Sequence, residues 1–386
     1  MKVCDLTQFY SPLSGGVKRY VHEKIAFVQN CRADDEHVLI IPGARDEVTS
    51  SERSRIYSIR SPLVSRSAQY RALLDLRAID EIIEREAPDI IESGDPYQVG
   101  WTALSVGRRR RIPVVAFYHS HFAQAYVRPI AHRLGRGVSD RAMTAARAYV
   151  RTFYNRFAAT FVPSAGLCRV LKEWGVTNAR QAELGVNTDV FRPVADREAT
   201  RNSLGIPPDR TLLLYVGRLA PEKNTQLLFE AFASLAGRRD AFHLLVIGDG
   251  QQRDRLRELQ KSGVALMWIP YCADAEQLAT YYRAADLFVH PGVEETFGLV
   301  ALEAQACGTP VLGICGSFMD EVILHDQSAW ADENSAAALA AAIERFARTA
   351  DLRALGAAAS SQVAERYAWP RVFERLFSIY REITAA

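Results

Sequence analysis

Two carboxylates, Glu295 and Glu303, stand eight residues apart in the stretch Pro291–Pro310. Pro291 and Gly292 break whatever strand precedes them. From Leu299 onward Ala301, Leu302, Glu303, Ala304 and Ala306 are good helix formers. Gly308 and Pro310 then stop the helix. Glu295 is therefore expected in a loop and Glu303 a turn or so into a helix. Between them Thr296, Phe297 and Gly298 leave backbone N–H groups free at a helix start, which suits an anion. Taken alone, the stretch also reads as an ordinary capped helix with two surface glutamates.

A second set of residues suits the same ligand. Arg218 and Lys223 follow the predicted strand Thr211–Val216 in one loop. Arg offers a forked contact and Lys a point charge, together a match for a pyrophosphate. The plainer reading is a solvated loop with an ion pair to Glu222. The chain has no D-x-D sequence, so the cations rather than a metal would have to neutralise a diphosphate. Near the N-terminus Gly15 and Gly16 open a predicted helix, Lys18–Val28, and would let backbone approach a phosphate. The surrounding pattern is neither G-x-G-x-x-G nor a P-loop. His119 follows the predicted strand Val114–Tyr118, at the strand end where α/β folds place chemistry, or is a hydrogen-bonded core histidine.

The elements that would position these residues alternate. Predicted strands lie at residues 1–6, His37–Ile41, Asp89–Glu92, Val114–Tyr118 and Thr160–Val162, with a helix over Arg71–Glu86 between them. A Gly/Asn/Asp/Pro-rich linker spans Ala182–Pro193. A second series follows, with strands at Thr211–Val216, His243–Ile247, Ala265–Ile269, Leu287–His290 and Thr309–Gly313. At 386 residues the chain exceeds the ~250–300 at which a single core stops growing, so two α/β domains are expected. Six scattered cysteines without a C-x-x-C pair argue for a reducing compartment and against a zinc site. No signal peptide and no apolar run of ~18 residues is present, so no membrane span is expected.

The net charge of +2 is unevenly spread. Residues 1–190 hold 27 Lys and Arg against 20 Asp and Glu, or +7, leaving −5 for the remainder. Residues 108–156 hold 11 arginines and one acid, Asp140. Tyr126, Ile130, Leu134, Val138, Tyr149, Val150 and Phe153 are interleaved with them. That mixture suits an anionic membrane surface, at ~1 kcal/mol per basic residue. No reading motif accompanies it, so nucleic acid is not an expected partner.

In order and spacing, these pieces resemble glycosyltransferase family 4, a group of retaining GT-B enzymes. The resemblance rests on Gly15-Gly-Val17, His119, Val216-Gly-Arg-Leu-Ala-Pro-Glu-Lys223, Gly248-Asp-Gly250, and the run from Glu295 through Glu303 to Pro310. It implies an α/β fold of GT-B type, two Rossmann-like domains facing a central cleft. The first, acceptor-binding, would span 1–188 with a crossover helix in 368–386. The second, nucleotide-sugar-binding, would span 189–367. It further implies that Arg218 and Lys223 hold the donor diphosphate and that Glu303 binds the ribose. Glu295 with the N–H groups of Phe297 and Gly298 would hold the sugar, and the Leu299 and Val300 amides the phosphate. Gly16 would lie against the diphosphate and His119 near the reacting centre. A nucleotide-diphosphate sugar is the implied donor substrate, with no metal or other cofactor.

Three departures stand near these residues. Gly292 replaces a usual Ser, Gly316–Glu321 replaces a usual Gly-Gly-(Ile/Leu)-Pro-Glu, and Ala329-Trp330 stands near a usual Gly. On the acceptor side Glu92–Tyr97 and Val114–Phe122 look like the lipid-modifying branches, such as mannosyl-lipid or sulfoquinovosyl diacylglycerol synthase-like transferases. The expected activity is transfer of a hexose-type sugar to a membrane lipid, by a cytoplasmic protein peripheral to the inner face of the cytoplasmic membrane. The alternatives are a soluble transferase making a polysaccharide or small glycoside, and a non-catalytic nucleotide-sugar-binding protein.

Overall fold

A computed structural model describes residues 1–10, 15–65, 69–119, 121, 135–235, 241–349 and 351–385. The chain divides into two units, Met1–Leu184 with Trp369–Ala386, and Gly185–Ala368.

The first unit runs β1 Lys2–Leu6, α1 Gly16–Cys31, β2 Glu36–Gly43, β3 Glu47–Ser50, β4 Ser54–Arg60, β5 Leu63–Ser65, β6 Tyr70–Arg71, α2 Leu76–Glu86 and β7 Ile90–Ser93. It continues through α3 Gln98–Arg110, β8 Val114–Phe117, α4 Arg136–Tyr154, β9 Thr160–Val162, α5 Ala165–Glu173 and β10 Ala179–Gln181. Eight strands form one sheet in the order β10-β9-β8-β7-β1-β2-β4-β3, parallel except at the β3 edge. Continuous apolar runs such as Val38–Ile41 are buried, as a sheet covered on both faces requires. The chain leaves β1 outward through β2 and β4, then returns to build β7, β8, β9 and β10 on the other side. The topological switch point therefore lies between the C-terminal ends of β1 and β7.

One expectation for this unit is corrected. The helix read over Arg71–Glu86 begins only at Leu76, because Asp75 caps it by accepting the Ala78 N–H at 3.1 Å. Tyr70 and Arg71 instead pair with Leu63–Ser65 as a short hairpin.

Lys24 on α1 is fully buried. Its Nζ donates to Asp5 Oδ1 and Glu92 Oε1, both at 2.9 Å, and to the Tyr380 hydroxyl at 3.1 Å. Tyr380 belongs to the terminal helix Trp369–Ala385, which packs Phe373 and Phe377 on Phe27 of α1. His37 holds the other oxygen of Asp5 at 2.7 Å. Burial alone would raise the Asp5 carboxyl, but Lys24 and His37 hold it well below the usual range. One cation thus joins β1, β7 and the last helix of the chain.

The second unit runs α6 Arg197–Ser203, β11 Thr211–Val216, α7 Thr225–Ser234, β12 Phe242–Ile247, α8 Arg253–Lys261, β13 Leu266–Ile269, α9 Ala275–Ala284 and β14 Leu287–His290. It ends with α10 Leu299–Ala306, β15 Val311–Gly313, α11 Ala336–Thr349 and α12 Leu352–Tyr367. Its five-stranded parallel sheet has the order β13-β12-β11-β14-β15. Here the switch point lies between the ends of β11 and β14. Helix α12 lies backbone-close to the end of α10: a Cβ at Gly356 would sit 1.9 Å from the Gly308 carbonyl oxygen, and Ser360 donates to the Ala306 carbonyl at 2.8 Å.

Lys24→Met leaves Asp5 and Glu92 buried without a cation. It is expected to destabilise the protein by about 3–5 kcal/mol. Urea denaturation reads this as a lower midpoint at unchanged slope, and a midpoint equal to wild type refutes it.

Candidate active site

At the switch point of the second unit two loops meet. The first carries Arg218 and Lys223 from the end of β11. The second carries His290 and Glu295 from the end of β14. Glycines let the first loop lie flat on its neighbour. A Cβ at Gly248 would sit 1.9 Å from the Gly217 carbonyl oxygen, and one at Gly250 would sit 2.4 Å from that of Leu219. Leu219 donates its N–H to the Asp249 carbonyl at 3.0 Å, and Gln252 donates back to Leu219 at 2.9 Å. The Gly248-Asp249-Gly250 segment therefore supports the Arg218 loop from behind. The Tyr215 hydroxyl fastens it further, donating to the Arg218 carbonyl at 2.9 Å.

The two loops are tied directly. Asn224, in the left-handed region at φ 56°, donates its side-chain N–H to the Pro291 carbonyl at 2.9 Å. Lys223 Nζ meets Glu295 Oε2 at 2.5 Å. Burial would raise the Glu295 carboxyl, but Lys223 and then His290 hold it well below the usual carboxylate range. Arg218 is largely exposed and pairs with Glu222 at 2.9 Å, the plainer reading of that pair.

Helix α10 starts where the second loop ends, and Gly298 precedes it at φ 89°. A Cβ there would also meet Met319 Cγ at 2.5 Å. Among the described residues the N–H groups of Phe297, Gly298, Leu299 and Val300 meet no acceptor, while that of Thr296 donates to Glu295 Oε1 at 3.2 Å. A helix start with open N–H groups, next to a loop that carries two cations, has the makings of an anion site. Neither acid is a plain surface glutamate. Glu303 is only 2% exposed and accepts the Tyr282 hydroxyl at 3.0 Å. Phe297 is buried against Tyr367.

Sequence reasoning missed His290, Tyr282 and Met319. His290 is buried, with Nε2 3.6 Å from Glu295 and Nδ1 without a partner. Its only signal was its place at a strand's C-terminal end. Met319 comes from Gly316–Glu321, the segment that departs from the family pattern, so that departure touches the start of α10. At Gly292 a Cβ would lie 3.0 Å from the His290 ring, so the usual serine would press on that imidazole. Trp330 fills the space over Gly313 and donates to the Val311 carbonyl at 3.1 Å.

In the first unit, His119 follows β8. Its ring stacks on Phe117 at 4.4 Å and meets Tyr20 edge-on at 5.2 Å. Burial, with the Lys24 charge, pushes its pKa down to about 3, so the imidazole is neutral at physiological pH. Gly16 is the exposed first residue of α1. Ser120 and residues 122–134, with Tyr126, Ile130 and Leu134, lie outside the described residues.

Several arginines of the basic window are committed to the fold. Arg109 and Arg110 reach Asp80 at 2.7 and 3.0 Å, and Arg110 also pairs with Glu84. Arg147 covers the Trp174 ring and Arg156 the Trp101 ring. Arg108, Arg111 and Arg141 are exposed. Among the described residues no helix is long and apolar enough to cross a membrane, and no cluster of three His, Cys, Asp or Glu could hold a metal ion.

Two family profiles divide the chain. Glycosyltransferase Family 4 matches residues 14–190, and Glycosyl transferases group 1 matches residues 196–359. A GDP-mannose-dependent alpha-(1-6)-phosphatidylinositol dimannoside mannosyltransferase of Mycobacterium tuberculosis is 31% identical over 86% of this chain and 84% of its own length. The chain belongs to glycosyltransferase family 4. A GDP-mannose-dependent alpha-mannosyltransferase of Corynebacterium glutamicum is 29% identical over 81% of this chain and 72% of its own. The sucrose-phosphate synthase of Thermosynechococcus elongatus superposes with a TM-score of 0.77 at 23% identity, covering 100% of this chain and 99% of its own. That likeness shows the GT-B fold expected from the motifs. The protein is a glycosyltransferase that uses a nucleotide sugar, and the loops described above are its candidate donor site.

Lys223→Ala and Glu295→Ala are expected to keep the fold and lower kcat about 10²–10³-fold each. Circular dichroism and steady-state transfer check both, and a variant with full turnover removes that residue from the machinery. The His119 ring should titrate near 3 rather than at the ordinary ~6.5. A depressed folded pKa means the unfolded chain takes this proton first. The stabilising contribution is therefore complete above pH ~6.5 and declines as pH falls toward 3. NMR titration of the ring protons tests this, and a midpoint near 6.5 contradicts it.

Proposed function

We propose that this enzyme transfers a mannosyl group from GDP-mannose, with retention and without a metal ion, to the headgroup of a membrane lipid. The observation that carries the donor half is the Lys223–Glu295 pair, which sets the loop of Arg218 and Lys223 against the loop leading into the open N–H groups at the start of α10. Such a site meets a diphosphate and the hydroxyls of its sugar together. The printed activities of two relatives, both GDP-mannose-dependent, support the choice of nucleotide and sugar.

In the reaction the bond from the anomeric carbon to the β-phosphate oxygen breaks, and a bond to an acceptor oxygen forms. The acceptor proton passes to the departing phosphate. Negative charge builds on that phosphate, and Arg218, Lys223 and the Leu299 and Val300 amides stabilise it where it develops. Glu295 must stay ionised to accept sugar hydroxyls, and Lys223 and His290 hold it so. His119, neutral, serves the transferred sugar as a hydrogen-bond donor. Glu303 takes the ribose.

For the acceptor half, the exposed arginines and Val138 favour contact with an anionic bilayer from the cytoplasmic side. A soluble polyol or saccharide acceptor is the second reading. It is favoured by the pairing of Arg109, Arg110, Arg147 and Arg156 within the fold.

A thermal-shift panel of GDP-mannose, UDP-glucose and ADP-glucose should show the largest rise with GDP-mannose, since a ligand of the folded state stabilises by mass action. NMR of the product should show an α-mannoside, formed at the same rate with and without EDTA. An inverted product, or loss of transfer in EDTA, defeats the corresponding part of the proposal. Sedimentation with phosphatidylglycerol vesicles at low salt tests the membrane half, which fails if the protein stays in the supernatant.

A further inference from the structure

Helix α10 has no capping side chain. Gly298 stands at its N-cap, and no side chain bonds to the first turn from there. A Ser or Asp at that place would fix the turn, but it would also fill N–H groups that a ligand needs. The start of α10 must therefore be fixed by packing from behind. Two contacts do this. Gly298 lies on Met319, an unbranched and adaptable side chain. Phe297, 2% exposed, meets the ring of Tyr367 edge-on, with centroids 6.1 Å apart and planes at 68°. A buried ring pair has a preferred geometry, so it is the stiffer of the two contacts.

Tyr367 is itself held from several sides. It is buried and ends α12. Earlier in α12, Ser360 donates to the carbonyl of Ala306, the last residue of α10. Helix α12 thus runs along α10 from its end back to the residue that precedes its N-cap. The Tyr367 carbonyl accepts the Val186 N–H at 2.8 Å, and Val186 bridges to Ala368. The Arg366 guanidinium lies over the Tyr367 ring, 5.3 Å from its centre.

We propose that Tyr367 is a positioning residue for the donor: its ring sets Phe297, and with it the N–H groups at the start of α10 that take the diphosphate. This rests on the donor site proposed above and adds to it a residue that touches no ligand. Backbone N–H groups hold an anion only at the right distance and angle, so a small shift of the turn weakens all of them together. A residue that merely filled the core would change stability and leave nucleotide affinity alone.

The test is isothermal titration of GDP, with UDP and ADP beside it, into wild type, Tyr367→Leu, Tyr367→Phe, Phe297→Leu and Ile343→Val. Ile343 is fully buried on a different helix, α11, so Ile343→Val lowers the melting temperature without altering the ring pair. Tyr367→Leu should weaken the nucleotide that wild type prefers about 3–10-fold. Tyr367→Phe keeps the ring and should bind within about twofold of wild type, as should Ile343→Val. Phe297→Leu breaks the same pair from its other side, so it carries the test where Tyr367→Leu does not fold. The double variant should lose no more than the weaker-binding single one. Wild-type affinity in either Leu variant, additive losses in the double variant, or a loss in Ile343→Val as large as in Tyr367→Leu overturns the inference. A wild type that binds none of the three nucleotides overturns instead the donor site on which it rests.

Discussion

The ion pair between Lys223 and Glu295 is the contact on which the candidate donor site depends. It crosses from the loop after β11 to the loop after β14, and Asn224 to Pro291 runs beside it. Those loops leave adjacent parallel strands in opposite directions of chain travel, so nothing in the local sequence of either one places it against the other. The pair does so, and it also fixes ionisation. A carboxylate this poorly hydrated would drift toward its neutral form without a cation, and a neutral acid is a weaker acceptor that presents an O–H donor on one of its oxygens. Lys223 thus has two tasks that share one charge, ordering the site and keeping Glu295 an acceptor.

Backbone geometry sets the remaining shape. Gly248 and Gly250 let two loops stack within van der Waals distance, and no side chain could occupy those contacts. Gly298 combines a positive φ with close packing on Met319. The chain behind the start of α10 is therefore packed solid. The same economy appears in the first unit, where Gly94 and Gly100 bring backbone against His119 and Asp95. In both units the candidate site residues stand where strand order reverses, where two neighbouring loops part.

Much of this was legible in the chain itself. The alternation of apolar runs with helix formers gave the α/β class. Gly308 and Pro310 marked the end of α10, and the type and spacing of Arg218, Lys223, Glu295 and Glu303 suggested a diphosphate and a sugar. Less legible were elements whose start depends on a single cap or on a distant partner. The helix at Leu76 begins at its Asp75 cap. The hairpin of Leu63–Ser65 and Tyr70–Arg71 is too short to show a period. Strand β3 gave no expectation for the same reason, whereas β4, seven residues long, gave none although its length allowed one. The basic window was read as one surface, whereas Asp80, Glu84, Trp101 and Trp174 engage four of its arginines within the fold.

What the sequence alone determined was therefore the family and the alternating fold, and it named the charged groups of the candidate donor site, all carried by local spacing. What only the tertiary structure decided was which groups lack partners and which are already used. His290 carries no motif. It becomes chemically informative because strands distant in sequence bury it beside Glu295. Burial and pairing are sums over neighbours that the chain brings together only on folding, so no stretch of residues can state them by itself.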